Sequence, residues 1–288
     1  MKDALKFGPK ILLIGGMDSS GGAGLVRDAA AVAELGGIAR CAVTAVTAQT
    51  DKGVRWAMPV PSEGLRAQIS AAFEDRVDAI KIGMLGNAMS VEAVAAALPP
   101  EGAVPLVLDP VLRASSGRAL LDPAGLAAMI AHLFPRTDVL TPNLPELAAL
   151  GAALGVTDPR KTDEVVTALM ARGVGAVLVK GGHDQTARAE AVDCLYLASG
   201  KRMRFAAKRY PFDLRGTGCH LASAIAVGLA ERRVDEGGII AAVRAAKASL
   251  GRRFAAQEAL DKGAGNRQIP HSPVRPEGNF HDAAKGPV

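Results

Sequence analysis

Asp213-Leu214-Arg215-Gly216-Thr217-Gly218-Cys219-His220 runs without a break into the apolar stretch Leu221 to Ala230. Gly-Thr-Gly ahead of a helical pattern leaves bare backbone N–H groups at a helix start, where the aligned peptide dipoles also favour negative charge. The stretch therefore reads as an anion cradle. Asp213 or Cys219 beside it would put a proton-accepting group within reach of an anion in transit. Phosphoryl transfer asks for little more than positioning, fixed donors for developing charge, and a metal. Alone, the stretch is equally a glycine-rich turn capping an amphipathic helix.

A second glycine-rich segment lies near the start of the chain. Lys10-Ile11-Leu12-Leu13-Ile14 reads as a buried strand, and Gly15-Gly16-Met17-Asp18-Ser19-Ser20-Gly21-Gly22-Ala23-Gly24 then opens a helix extending to about Leu35. There is no G-x-x-x-x-G-K-[ST], and glycines at 16, 21, 22 and 24 do not fit G-x-G-x-x-G. P-loop and Rossmann chemistry both lack their residues.

Together the two loops resemble those of the ribokinase-like superfamily, and within it the hydroxymethylpyrimidine/phosphomethylpyrimidine kinases of thiamine biosynthesis. The family's G-x-D-x-S-G-G-A-G-x-x-x-D is met from Gly16 through Gly24 to Asp28. Further blocks follow in order: Thr44 to Gln49, Lys81-Ile82-Gly83-Met84-Leu85, Val107 to Val111, Leu140-Thr141-Pro142-Asn143-Leu144-Pro145-Glu146, Val179 to His183, and Gly216 to Cys219. The resemblance covers roughly residues 10 to 250. It implies an α/β, ribokinase-like fold, an ATP- and Mg2+-dependent small-molecule kinase, and a homodimer.

Bulk properties agree with a layered α/β protein. The 288 residues are 49% hydrophobic but only 3% aromatic, so the core must be built from Ala, Val, Leu and Ile. The formal net charge of +5 is scattered, without the basic stripe and aromatic platforms of a nucleic-acid binder. Arg202, Arg204, Lys208 and Arg209 form the densest basic cluster and suit a charged strand edge. Three widely spaced cysteines exclude a disulfide framework and a local zinc site, and favour a reducing cytoplasm. Neither a signal-peptide core nor an apolar run long enough for a membrane span is present.

Buried strands alternate with helical patterns along most of the chain, which predicts a mostly parallel, doubly wound sheet flanked by helices. Strands are expected at 40–49, 54–60, 78–82, 104–108, 139–140 and 176–179. Helices are expected from Ser62, as N-cap, to Phe73, and near 123–133, 143–150, 161–172 and 237–250. Ala189 to Tyr196 and Met203 to Ala207 read as an antiparallel edge hairpin. Residues 1–262 are taken as one domain, and 263–288, rich in Gly, Pro, Asn and His, as a poorly ordered tail.

In sheets of this kind ligands collect at the carboxyl ends of the strands. Gly16, Asp18, Gln49, Met84, Asp109, Asn143 and Lys180 all fall at or just after an expected strand end, so one crevice would gather them. Gly216, Thr217, Gly218 and Cys219 would present N–H groups to the transferring phosphoryl group, and by the resemblance Cys219 is the catalytic residue. A thiol at a helix N-terminus is expected to have its thiolate favoured. Asp109, Asn143 and Glu146 are the expected Mg2+ and phosphate shell, although Asn143 and Glu146 also form a capping-box pattern. Lys180 with Asn143 and Thr217 would meet the nucleotide. Gln49 offers donor and acceptor to an aminopyrimidine edge, the ring the family's Gln reads, with Gly16, Asp28, Met84 and Val111 alongside.

Three departures from the family pattern stand out. Gln49-Thr50-Asp51-Lys52-Gly53-Val54 replaces Q-N-T-x-G-V, Asp213-Leu214-Arg215 replaces N-T-H, and His220 replaces Thr. An acid such as Asp51 with an Arg near the acceptor would also suit a cationic amine, as in an aminomethyl-furan phosphate. A non-catalytic binding module on the same fold is the alternative from another class.

Overall fold

The computed structural model describes residues 8–50, 53–114, 117–181 and 190–264. The described residues up to 254 gather into one compact unit, and 255–264 belong to another. In chain order the first unit contains β1 (Lys10–Asp18), α1 (Gly24–Glu34), β2 (Ile38–Thr50), β3 (Gly53–Pro59), α2 (Ser62–Phe73) and β4 (Ala79–Ile82). It continues with α3 (Ala88–Ala97), β5 (Leu106–Leu108), α4 (Pro123–His132), β6 (Val139–Leu140), α5 (Leu144–Ala153) and α6 (Thr162–Met170). Then come β7 (Ala176–Val179), β8 (Glu190–Leu197), β9 (Arg202–Lys208), α7 (Thr217–Ala230) and the start of α8 (Glu236–Ala264). In the second unit α8 carries a Gln257 to Asp261 hydrogen bond of 2.8 Å on its own surface.

The strands form one sheet in the order β3-β2-β1-β4-β5-β6-β7-β8-β9. From β2 to β7 every neighbouring pair is parallel, while β3 at one edge and β8 and β9 at the other run antiparallel. The expected parallel sheet and edge hairpin are both present. The chain winds outward from β1 to β3, then returns to the other side of β1 at β4. That reversal makes β1/β4 a topological switch point, where sheets of this type open a crevice.

Alternation along the central strands feeds two cores. Leu12, Ile14, Ile80, Ile82, Leu108 and Leu140 pack with α2, α3, α4, α5 and α6. Ile11, Leu13, Ala79, Val107, Val139 and Leu178 face the other way, against α1, α7 and α8. Strands β4, β5, β6 and β7 are buried throughout, with Lys81 as their one polar residue, as a sheet covered on both sides requires.

Four local readings change. β1 does not stop at Ile14 but runs to Asp18, with a register shift between Gly15 and Gly16 that lets the glycines stay in the strand. Ser62 is the first residue of α2 rather than its cap, and its hydroxyl is turned to the carbonyl of Met89 at 3.5 Å. Helix α3 follows β4 with Asn87 as its N-cap, the Asn87 side chain accepting from Ser90 N at 2.9 Å. The last helix continues to Ala264, so the expected tail boundary at 263 falls inside it, and 265–288 lie outside the described residues. Within the described residues no helix is long and apolar enough to cross a membrane.

Candidate active site

At the carboxyl edge of the sheet the strand exits are stitched side by side. Gly83 N donates to Ile14 O (2.8 Å), Asp109 N to Ile82 O (2.8 Å), Thr141 N to Leu108 O (3.0 Å) and Lys180 N to Pro142 O (2.8 Å). These bonds hold Asp109, Asn143 and Lys180 in one row. Lys180 Nζ bonds Asp109 Oδ1 at 2.8 Å and stands 3.9 Å from Glu146 Oε2. Thr141 donates to the same Asp109 oxygen at 3.2 Å.

Electrostatics follow from this packing. Burial alone would raise the Asp109 carboxyl, but the ammonium groups of Lys180 and Lys81 outweigh it and hold it below the usual carboxylate range. Burial works against the Lys180 charge, yet Asp109 and Glu146 keep its pKa raised. Glu146 receives too little of that compensation, and burial pushes it up to about 7.

Asn143 and Glu146 close the capping box at the start of α5. Glu146 N donates to Asn143 Oδ1 and Asn143 N to Glu146 Oε2, both at 2.8 Å. Both side chains therefore have a structural role at the exit of β6.

The tip of α7 completes the row. Gly216, its N-cap, is left-handed (φ 69°, ψ 21°) and the first turn has no side-chain cap. A Cβ on Gly216 would also press on the Gly22 carbonyl and Ala23, so the two glycine-rich loops meet here. At Gly218 a Cβ would stand 3.2 Å from Lys180 Nζ and 3.7 Å from Asp109 Oδ2. The uncapped first turn of α7 thus packs against the Lys180–Asp109 pair at Gly218.

The same loops are clasped by Arg215. Its guanidinium bonds Asp18 Oδ2 at 3.1 Å and Ser20 Oγ at 2.8 Å, while Asp18 also accepts from Ser20 N and Ala23 N, each at 2.9 Å. Buried and saturated, Asp18 organises the loop instead of offering its carboxylate to an acceptor. Asp28 is likewise corrected: fully buried, it is bonded to Lys81 Nζ and Ser223 Oγ, each at 2.8 Å, and has no atom open to a substrate.

Cys219, the third residue of α7, is half-buried. The expected activation by the helix terminus is overturned, because burial pushes its thiol up to about 11 despite the opposing pull of Lys81. Lys81 is the residue that sequence reasoning missed. Lys81 stood inside a motif block without a role, and an apolar neighbourhood was its only signal.

Gln49 and Met84, expected on the acceptor side, border the β1–α1 segment. Gln49 is joined to that loop through Ser19, its N–H donating to Ser19 Oγ at 3.0 Å. The thioether of Met84 lies over Gly16, and Thr44 fixes the Met84 carbonyl at 2.7 Å. Val111 is half-buried just beyond Asp109. Asp51 lies outside the described residues. A cleft of about 220 Å³ adjoins Met84, but Ala57, Pro59, Asn87, Arg118, Leu121 and Asp122 line it and neither Gln49 nor Cys219 does.

A family model described as phosphomethylpyrimidine kinase matches residues 18–268. The chain is 39% identical over 262 residues to the hydroxymethylpyrimidine/phosphomethylpyrimidine kinase of Rhizobium meliloti, a match covering 90% of this chain and 96% of that protein. Among solved structures it resembles the phosphomethylpyrimidine kinase of Clostridium difficile, with TM-score 0.68, 31% identity, and 85% and 99% of the two chains covered. It is also similar to the pyridoxal kinase of Staphylococcus aureus in complex with AMP-PCP and pyridoxal, with TM-score 0.71, 27% identity, and 83% and 85% covered.

Proposed function

Because this chain belongs to the phosphomethylpyrimidine kinase family, we propose that it moves the γ-phosphoryl group of ATP, with Mg2+, onto the CH2OH of an aminopyrimidine. The CH2–O–phosphate so formed is its second acceptor, the chemistry of thiamine-precursor synthesis. The observation carrying this reading is the uncapped first turn of α7 set against the Lys180–Asp109 pair at Gly218. Fixed donors beside a buried cation are what an anionic transition state needs.

In this reading the acceptor oxygen attacks the γ-phosphorus while the bond to the β–γ bridging oxygen breaks and ADP leaves with the electron pair. Lys180 holds the nucleotide phosphates, and N–H groups from Thr217 to Cys219 meet the equatorial oxygens. The acceptor proton passes to a Cys219 thiolate, which returns it to solvent. With the thiol near 11, only about one molecule in ten thousand holds the thiolate at pH 7. A loose transition state tolerates that scarcity, and the second acceptor, already an anion, needs no base.

Among the described residues no group of three His, Cys, Asp or Glu side chains stands ready to hold a metal. Asp109, Asn143 and Glu146 nevertheless supply hard oxygen donors, and two of them are engaged in the capping box. That set fits Mg2+ that keeps several waters and rests on nucleotide phosphates. When bound, the ion would neutralise phosphate charge.

The aminomethyl-furan phosphate reading rested on an acid and an Arg near the acceptor, and Arg215 is bonded to Asp18 and Ser20. A binding module without catalysis has no support in the phosphate-facing residues, all of which are present. A homodimer in a reducing cytoplasm completes the proposal, in keeping with the three free cysteines.

A coupled assay of ADP release tests the whole reading, run side by side with the pyrimidine alcohol, its monophosphate, pyridoxal and an aminomethyl-furan phosphate. Mg2+-dependent ADP release with the first two is expected. Release with the furan alone would move the acceptor assignment, and release with none would remove the kinase reading.

A further inference from the structure

Lys81 is buried at the centre of the sheet, in a strand whose other residues are Ala79, Ile80 and Ile82. Alternation places it on the α1/α7 side, between Ala79 and the exit at Gly83. An apolar residue there would avoid the cost of removing an ammonium from water, which an ion pair only partly offsets. The lysine is nonetheless held in a complete network. Nζ bonds Asp28 Oδ2 of α1, and Asp28 Oδ1 accepts from Ser223 Oγ of α7, both at 2.8 Å.

Two features direct this network toward the site. Nζ lies 2.7 Å from the point a Cβ on Gly83 would occupy, so the ammonium reaches the floor of the strand-exit crevice. Ser223 is four residues after Cys219 on α7. Residues at that spacing share a helix face, with side chains leaning toward the N-terminus. The serine that anchors Asp28 therefore sits one turn below the thiol. Of the influences that favour a charge on Cys219, Lys81 is the largest, ahead of the Gly24 N–H.

Building on the kinase reading, we propose that Lys81 is a positioning residue for phosphoryl transfer. Fixed by Asp28 and Ser223 beneath the first turn of α7, its ammonium supplies the countercharge to a thiolate at Cys219. The pairing with Asp28 sets how much of that charge the sulfur feels. Asp28, Asp109, Lys180 and Arg253 are the other charged groups whose fields reach Cys219. Of these Asp28 and Asp109 oppose the thiolate.

The test reads the sulfur directly, without turnover. In a Cys41→Ser/Cys194→Ser background, alkylation of Cys219 by iodoacetamide is followed at one fixed pH by mass spectrometry. Lys81→Met should slow it by about tenfold, the equivalent of one unit of thiol pKa. Asp28→Asn, which removes the opposing carboxylate and keeps an acceptor for Ser223, should speed it by a similar factor. Opposite signs are the signature, since a purely structural role would move both variants together. Changes of the same sign, or none, in variants that remain folded would overturn the inference. Should Lys81→Met not fold, Asp28→Asn decides alone, with acceleration expected and an unchanged or slower rate contradicting it. If the alkylation rates move as expected while the parent protein phosphorylates no acceptor, the kinase reading fails and the charge coupling stands.

Discussion

Two lysine–carboxylate pairs sit a few residues from the same crevice and differ in how they are enclosed. Lys180–Asp109 lies at the rim, with the lysine side chain 12% exposed and a second carboxylate, Glu146, 3.9 Å away. Lys81–Asp28 is sealed, each side chain 1% exposed, with Ser223 as third partner. An ammonium at the rim can exchange a carboxylate for a phosphate. One sealed beneath a helix can only act through its field. The same residue types thus divide into a group that would touch the nucleotide and a group that sets the charge around the thiol.

The comparison breaks most visibly on stability. Lys81→Met leaves Asp28 buried without its cation and should lower unfolding free energy by ~3–5 kcal/mol in chemical denaturation. Adding Asp28→Leu should recover most of that loss, because an apolar pair of similar volume suits the site. At the rim the expected effect is on activity: Lys180→Met should reduce kcat/KM for ATP by about 10²–10³ in steady-state kinetics, the scale of one lost charge-stabilising donor. A Lys81 variant with the larger ATP defect would reverse the two assignments.

Cys219→Ala sharpens the comparison, since Lys81 of the sealed pair is the strongest influence favouring a charge on the sulfur. The kcat for the alcohol should fall by about 10², and that for the monophosphate acceptor by much less. For the alcohol, kcat should climb with pH toward the thiol's value of about 11. The monophosphate rate should not.

A third buried group shows what happens when the countercharge is weak. His220 is fully buried, with Nε2 3.0 Å from Ser249 Oγ and Nδ1 3.9 Å from Glu34 Oε2. Burial, reinforced by Arg27, Arg252 and Arg253 and opposed by Glu34, pushes its pKa down to about 4 from 6.5. The neutral form is native, so the contribution is fully present above pH 6.5 and is lost as pH falls toward 4. At 1.36 kcal/mol per unit that amounts to ~3 kcal/mol. His220→Gln should flatten the acid limb of the stability profile over that window.

Much of the architecture was legible because strand exits announce themselves chemically: Asp109, Asn143 and Lys180 each end an apolar run, and each stands in the observed row. The glycines of β1 misled for a physical reason. Gly signals a turn, yet here a register shift keeps Gly15 and Gly16 in the strand. Cys219 was placed at its helix tip correctly but given the wrong charge state, since a helix terminus is visible in sequence and the depth of burial is not. Asp28 matched a motif, and only its partners Lys81 and Ser223, 53 and 195 residues away, reveal that it faces inward.

The most direct measurement is a crystal structure of the protein with a non-hydrolysable ATP analogue, Mg2+ and the hydroxymethyl aminopyrimidine. The γ-phosphate should lie against the N–H groups of Thr217 to Cys219 and Lys180 Nζ, with the ring at Gln49 and its CH2OH directed at the γ-phosphorus. A ring seated instead in the cleft between Arg118 and Asp122, remote from a nucleotide bound elsewhere, would contradict the account.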